Sequence, residues 1–556
     1  MTFEHLLLKE GLLPEEKIAE ARALQSADGL RLDRAILQLG LLEERQILNL
    51  MAGQLDLPLL DLSSWEIDPE LRRTLPTKVI FRKRIVPISR EGNSLRVATC
   101  DPFDLYAMDD VRMMTGLHVE CVLASRDDIE KLIKTHYGLG GDTLDELSAN
   151  DEESISAGRG EGGDDLMEMA QEASVIRLVN EIIVEAVQER ASDIHIEPYE
   201  HHMSIRYRID GILHEASVPP QMNRFQAAII SRIKILANLN IAERRIPQDG
   251  RIKFKVGGRQ IDVRVSVIPM LFGEGVVMRL LDKANVLFTL TQLGMDADTY
   301  GRFRGLIERP HGIVLVTGPT GSGKTTTLYA ALNEIVGPTL KVLTVEDPVE
   351  YHLQGVNQIP VDHKVGMTFD AGLRAILRHD PDVVMIGEIR DVETARAAIQ
   401  ASLTGHLVLS TLHTNDAASA ATRLVDMGVE PFLIASSLAG VMAQRLIRRI
   451  CPKCKTTYSP DLTKLPRDFR LASGEQLHRG EGCENCRKTG YRGRYGIYEL
   501  LEVDEEIAQM IVARESAPRL IAAGRTKGLR LLREDGWIKV RQGLTTIEEV
   551  ITCTAL

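Results

Sequence analysis

The residues best suited to chemistry are Gly318-Pro319-Thr320-Gly321-Ser322-Gly323-Lys324-Thr325, which have the types and spacing of a complete phosphate-binding loop. The glycines let backbone N–H groups curl around phosphate oxygens, Lys324 reaches the β and γ phosphates, and the Thr325 hydroxyl is a ligand for Mg2+. Thr326 opens the helical stretch that follows and completes the candidate cradle. Two carboxylates, Glu346 and Glu388, and one imidazole, His413, each follow a short apolar run. Phosphoryl transfer asks a protein mainly to position phosphates and neutralise charge, so a base-like glutamate, a magnesium ion and a cationic donor cover most of it. Glu388 is the candidate to polarise the attacking water or hold the metal's water shell, and Glu346 is the second carboxylate. A lone histidine is usually structural, but at a strand end beside such a loop His413 is also a candidate to sense or stabilise the γ-phosphate.

A second chemistry lies in Cys451-Pro452-Lys453-Cys454 and Cys483-Glu484-Asn485-Cys486. Each pair is a turn that points two thiolates at one metal, and two turns complete a closed tetrahedral zinc site with no open position for catalysis. Two unrelated pairs, or a redox pair, are the competing readings, and a chain of the cytosol seldom uses disulfides.

Those side chains need elements that end together. Ile313–Val316 before the loop, Lys341–Val345 before Glu346, Asp382–Ile386 before Gly387-Glu388 and Leu407–Leu412 before His413 read as buried strands of an open α/β sheet, whose ligands gather at strand ends. Arg445, Arg448 and Arg449 fall on one face of an expected helix just before the first cysteine pair and read as ion-paired surface. Upstream, Ser204–Gly211 alternates Ile205, Tyr207 and Ile209 with Arg206, Arg208 and Asp210, the pattern recurs at Ile261–Val267, and Arg279 lies in another apolar strand. Such an arginine face could meet phosphates of a neighbouring subunit, although pattern alone favours a solvated face with surface ion pairs.

At 556 residues the chain is too long for one core. Its formal net charge of −12 argues against a chain built to coat nucleic acid. No apolar run approaches the roughly 18 residues needed to span a bilayer, and the first residues lack the basic segment of a signal peptide, so a cytoplasmic location is expected. The expected organisation is α/β and multidomain. It runs as an N-terminal α+β docking domain at 1–139, a flexible acidic linker at 140–165, a preceding α+β (PAS-like) domain with the arginines at 166–292, a RecA-like P-loop core at 293–450, a tetracysteine zinc module at 451–496 and a C-terminal helical region at 497–556.

Taken together, several segments resemble the secretion-superfamily ATPases, specifically the assembly ATPases of type II secretion systems and type IV pili. They are the phosphate loop, Glu346-Asp347-Pro348-Val349-Glu350, the Gly387-Glu388 segment with Gly where an Asp would normally stand, Thr404–Asn415 and the four cysteines. The resemblance runs from about Ala173 onward and includes Ala191–Pro198 and Pro247–Arg251. It implies a homohexamer that hydrolyses ATP with Mg2+ on the cytoplasmic face of the inner membrane, peripheral to it. It also implies an inner-membrane platform protein and a cytoplasmic docking subunit as partners, and a Zn2+ staple. Under it Lys324 and Thr325 bind phosphate and Mg2+, Glu388 is the catalytic or metal-ordering carboxylate, Glu346 and His413 complete the pocket, and Arg208, Arg264 and Arg279 match arginines used across the subunit interface. Retraction-type relatives usually lack both the zinc module and a long N-terminal domain, so an assembly motor is implied.

The N-terminal region repeats with a period of 29 residues: Gly11-Leu12-Leu13 leads to Gln25, and Gly40-Leu41-Leu42 to Gln54. Each copy reads as two short helices, and the pair resembles domains that in some relatives bind cyclic di-GMP through Arg-Leu-Gly. Here Arg31-Leu32-Asp33 has Asp where Gly belongs, and the first copy has Thr2-Phe3-Glu4. Acids near phosphates oppose binding, so partner docking is expected and the dinucleotide receptor is the minority reading. A nucleic-acid translocase, since hexameric P-loop rings also move DNA, is the remaining alternative.

Overall fold

The computed structural model describes residues 3–28, 30–62, 65–68, 70–76, 79–80, 83–137, 173–216, 220–256, 258–282, 288–471 and 475–555. The expected acidic linker at 140–165 lies outside the described residues. The chain divides into two compact units, Met1–Leu281 and Asp282–Leu556.

In the first unit, the N-terminal repeat is two helix pairs, Phe3–Lys9 with Glu15–Asp28 and Leu32–Gln38 with Glu44–Leu55. Gly11 and Gly40 take the same left-handed φ of 64° just past the first helix of each pair, a conformation cheap only for glycine. Leu7, Ile18, Ile36 and Ile47 bury the apolar stripes of the four helices together. A three-stranded sheet follows, β1 (Ile85–Glu91), β2 (Ser94–Thr99) and β3 (His118–Leu123), with the helices Leu105–Thr115 and Arg126–Tyr137. The segment 173–282 forms a six-stranded sheet from β4 (Asp193–Pro198), β5 (Met203–Ile209), β6 (Ile212–Glu215), β7 (Gln248–Val256), β8 (Arg259–Met270) and β9 (Gly273–Asp282), in the order β6-β5-β4-β9-β8-β7. The alternation along these strands buries one face, including Ile205, Tyr207, Val263 and Val265, against the helices Ala173–Gln188 and Gln226–Leu236.

The second unit is built on one seven-stranded sheet: β10 (Gly312–Thr317), β11 (Val342–Glu346), β12 (Val356–Pro360), β13 (Val383–Ile386), β14 (Leu407–Leu412), β15 (Leu438–Ile450) and β18 (Tyr491–Glu502). Their order is β12-β11-β13-β14-β10-β15-β18, and only the last pairing is antiparallel. Strands β10, β11, β13 and β14 are buried along their whole length, as expected for a parallel sheet covered on both faces. Between β15 and β18 the chain makes a short hairpin, β16 (Lys455–Tyr458) with β17 (Leu477–Gly480), beside the cysteines. Four helices from Glu505 to Thr554 close the unit.

The segment carrying Arg445, Arg448 and Arg449 is not the helix that its spacing suggested but the middle and end of β15. Pairing with β10 as far as Ala443 and with β18 from Gly440 to Ile450 supplies backbone partners that override helical periodicity. The arginines are engaged there: Arg445 donates to Asn415 at 3.1 Å, Arg448 pairs with Glu549, and Arg449 lies over the Tyr495 ring. β18, from beyond the cysteines, is a strand of this same seven-stranded sheet.

Candidate active site

Because β10, β11, β13 and β14 run parallel and in register, their C-terminal ends form one edge. The phosphate-binding loop leaves β10, Glu346 ends β11, Glu388 stands two residues past β13, and His413 directly follows β14. Gly321 and Gly323 take left-handed φ angles of 78° and 88°, and the helix Lys324–Ile335 starts immediately after. Its free N–H groups and dipole make a ready-made anion site. Pro319, Thr320, Gly321 and Thr325 are exposed, while Ser322 and Lys324 are buried. Ser322 Oγ has no hydrogen-bond partner, an orphaned donor inside the cradle that suits a phosphate oxygen.

Lys324 Nζ donates to the carbonyls of Gly318 at 2.8 Å and Pro319 at 3.2 Å. Burial pushes its pKa down, partly offset by the negative charge of Glu388. Each oxygen of Glu388 has its own partner: Arg390 Nη2 lies 2.5 Å from Oε1 and His413 Nε2 lies 3.2 Å from Oε2. The Glu388 charge in turn raises the pKa of Arg390. Thr414, next to His413, donates its N–H to Thr317 Oγ1 at 2.8 Å and so ties the His413 segment to the root of the loop. Glu346 is 3% exposed and accepts from Thr344 Oγ1 at 2.5 Å, from Gln358 Nε2 at 3.1 Å and from the Tyr329 hydroxyl. With both oxygens engaged it is a fixed charge beside the site. Thr326 is half-buried in the first turn of the helix.

Arg208, Arg264 and Arg279 belong to the other unit. Asp193 of β4 stands across from Arg208 of β5 and Arg279 of β9. Arg279 Nε is 3.0 Å from Asp193 and Arg208 Nε 3.9 Å, while Arg264 faces Arg251 across the β7–β8 pairing.

The four thiols Cys451, Cys454, Cys483 and Cys486 lie within 4.8 Å of one another, with separations of 3.8 Å for 451–483, 3.7 Å for 454–486 and 3.8 Å for 483–486. A tetrahedral zinc with Zn–S of about 2.3 Å requires sulfurs about 3.8 Å apart, and a disulfide about 2.05 Å, so the arrangement fits zinc. Asn485 Nδ2 donates to Cys451 Sγ and the Gly490 N–H to Cys486 Sγ, each at 3.3 Å, partners that suit thiolates.

Sequence reasoning missed Gln444, Tyr329 and Thr317. None of the three carries a local signal, because the partners of each are fixed only by folding.

The family model described as Type II/IV secretion system protein matches residues 168–552, and that of the MshEN domain matches residues 55–143. The chain is 42% identical to the type IV pilus assembly ATPase PilB of Myxococcus xanthus, over 99% of this chain and 98% of that protein. It is 44% identical to the type II secretion system protein E of Xanthomonas campestris, over 99% and 97%. With the type II secretion system protein E of Pseudomonas aeruginosa it shares 53% identity over 70% of this chain and 78% of the other. The X-ray structure of the ATPase DotB of Yersinia pseudotuberculosis superimposes with a TM-score of 0.51 over 68% of this chain and 93% of that one, at 18% identity, a likeness of fold. With the phosphate-binding loop, Glu346, Glu388 and His413 at one sheet edge and these matches along its length, the chain belongs to the type II/IV secretion system protein family and is an ATPase.

Proposed function

We propose that this chain is the cytoplasmic motor of a type II secretion system, hydrolysing ATP to drive assembly of the pseudopilus and export of protein across the outer membrane. The observation that carries it is the convergence of the phosphate loop, Glu388 and His413 on one edge, in a chain that matches a type II secretion protein E over 99% of its length. Loop amides and Lys324 bind the phosphates, and the Thr325 hydroxyl ligates Mg2+, which when bound neutralises charge on the β and γ oxygens. Glu388, held between Arg390 and His413, orients the attacking water, and Glu346 keeps the field at the β11 end negative. In a homohexameric ring the PAS-like sheet unit brings Arg208, Arg264 or Arg279 to the γ-phosphate of the neighbouring subunit. The four cysteines hold one structural Zn2+.

In this reading the N-terminal domain docks on a cytoplasmic subunit and the ATPase works against a platform protein in the inner membrane. Among the described residues no helix is long and apolar enough to cross a membrane, consistent with peripheral attachment through partners. Cyclic di-GMP is not favoured as a ligand. Arg31 is paired with Asp33 at 2.7 Å and Asp101 at 2.8 Å, and Arg34 with Asp101 at 3.1 Å, so the cations that would meet its phosphates are already neutralised. Type IV pilus extension is the second reading, favoured by the end-to-end match to the Myxococcus protein.

The test is to trap Glu388→Gln with ATP in membranes of the source cell and identify what it retains. A polytopic platform protein together with a secretion-system docking subunit supports the first reading, pilus components support the second, and DNA or a conjugation apparatus would refute both.

A further inference from the structure

Seven residues of β15, Leu438 to Gln444, are fully buried, and Gln444 is the one polar side chain among them, 2% exposed. A buried amide is costly unless both its ends are bonded. Here both are: Nε2 donates to the Ser322 carbonyl at 2.9 Å, and Oε1 accepts from the Thr327 hydroxyl at 2.8 Å. The Ser322 carbonyl can only accept, which fixes the amide orientation and leaves Oε1 for Thr327. The two bonded residues straddle Lys324, one in the loop and one in the first turns of its helix. Gln444 also crowds the loop glycines. A Cβ on Gly318 would meet the Gln444 carbonyl at 2.4 Å, and one on Gly323 would meet its Nε2 at 2.8 Å. The Gln444 side chain therefore ties the loop at Ser322 to the helix at Thr327, and the backbone at Gly318 and Gly323 passes close against the same residue. Its neighbour Arg445 donates to Asn415 at 3.1 Å, in the segment that carries His413.

We propose that Gln444 is a positioning residue for ATP, resting on the nucleotide reading above. It sets the spacing between the loop at Ser322 and the helix at Thr327, so that the loop amides and Lys324 are preorganised for the phosphates. Both ends of its amide are bonded to the protein, so it acts through the loop and helix. Preorganisation of this kind governs affinity for ATP more than the chemical step.

The experiment measures binding of the fluorescent methylanthraniloyl analogue of ATP with Mg2+, and steady-state KM and kcat for ATP, in the full-length chain. Gln444→Met keeps the length but removes both bonds, and is expected to weaken binding about tenfold and raise KM similarly, with kcat within about twofold. Thr327→Val removes only the second bond at nearly constant volume and is expected to weaken binding about threefold. Combining them should be no worse than Gln444→Met alone, because the Thr327 bond is already lost. A merely structural defect would lower kcat through the active fraction and leave KM in place. If Gln444→Met does not fold, Thr327→Val carries the test. Binding within twofold of wild type in both variants, with Lys324→Ala devoid of binding, overturns the proposal and leaves the nucleotide reading intact. Failure of the wild type itself to bind removes both.

Discussion

Glu388 carries one partner on each oxygen, an arrangement that fixes the carboxylate without neutralising it twice on the same side. Glu388→Gln is expected to retain ATP binding and lose turnover by about a hundredfold or more, whereas Lys324→Ala is expected to lose binding. Nucleotide titration and phosphate release on the two variants check this, and equal hydrolysis rates for wild type and Glu388→Gln would sink the role given to it. Another carboxyl affects the fold rather than the chemistry. Glu499 on β18 is 3% exposed, and burial pushes its pKa from 4.5 up to about 7 against the pull of the Ala417 and Leu532 N–H groups. A carboxyl that holds its proton more tightly in the folded state gives stability that is full below its unfolded pKa and is lost as pH rises through the folded one. Stability of the second unit should therefore decline by up to about 3 kcal/mol between pH 4.5 and 7.5 relative to Glu499→Gln, whose slope is flatter. Denaturant unfolding across that range reads the difference. At this scale the phosphate loop, Glu388 and the cysteines were legible because each announces itself through local spacing. Gln444 and Glu499 were not, since Gln444 meets a partner 117 residues away and Glu499 one 82 residues away.

The β15–β18 pairing links the two chemistries of the second unit. β15 crosses behind the phosphate loop and runs straight into Cys451, and β18 returns to the sheet after Cys486. The four thiols thus close the open end of a long antiparallel pair whose middle carries Gln444 and Glu499. Removing one thiol, as in Cys451→Ser or Cys486→Ser, should abolish the single zinc expected per chain and lower Tm by about 10 °C, a loss of roughly 3 kcal/mol in a unit of this size. Metal analysis and thermal unfolding of freshly purified reduced protein check both numbers, and protein without metal at wild-type Tm would remove zinc from the account. The parallel strands were readable from their continuous apolar runs, the signature of a sheet covered on both faces. β15 was not readable in the same way: arginines at 445, 448 and 449 fall at helical spacing, and only its neighbours in the sheet decide for a strand.

At the scale of the whole molecule, the phosphate-binding loop, Glu346, Glu388 and His413 sit in one compact unit and the candidate arginines in the other. Within its own sheet, Arg279 is held by Asp193 at 3.0 Å, and Arg208 approaches the same carboxylate at 3.9 Å. An arginine half-exposed beside a single shared aspartate can exchange that partner for a phosphate, which offers more acceptor oxygens and more charge. If the exchange happens across a subunit boundary, each hydrolysis site is composite: Glu388 comes from one chain and Arg279 from the next. Arg279→Ala and Glu388→Gln should then each be inactive alone and regain activity when co-assembled. In a random equal mixture a site is whole only where an Arg279→Ala subunit supplies Glu388 and its neighbour, a Glu388→Gln subunit, supplies Arg279, so about a quarter of the sites recover. Arginine and glutamate contributed by the same chain predict no recovery at any mixing ratio, because every site would then carry one defect or the other. The mixing curve therefore separates a ring whose subunits must touch to fire from a set of independent ATPases, and the same curve for Arg208→Ala and Arg264→Ala identifies which guanidinium crosses the boundary.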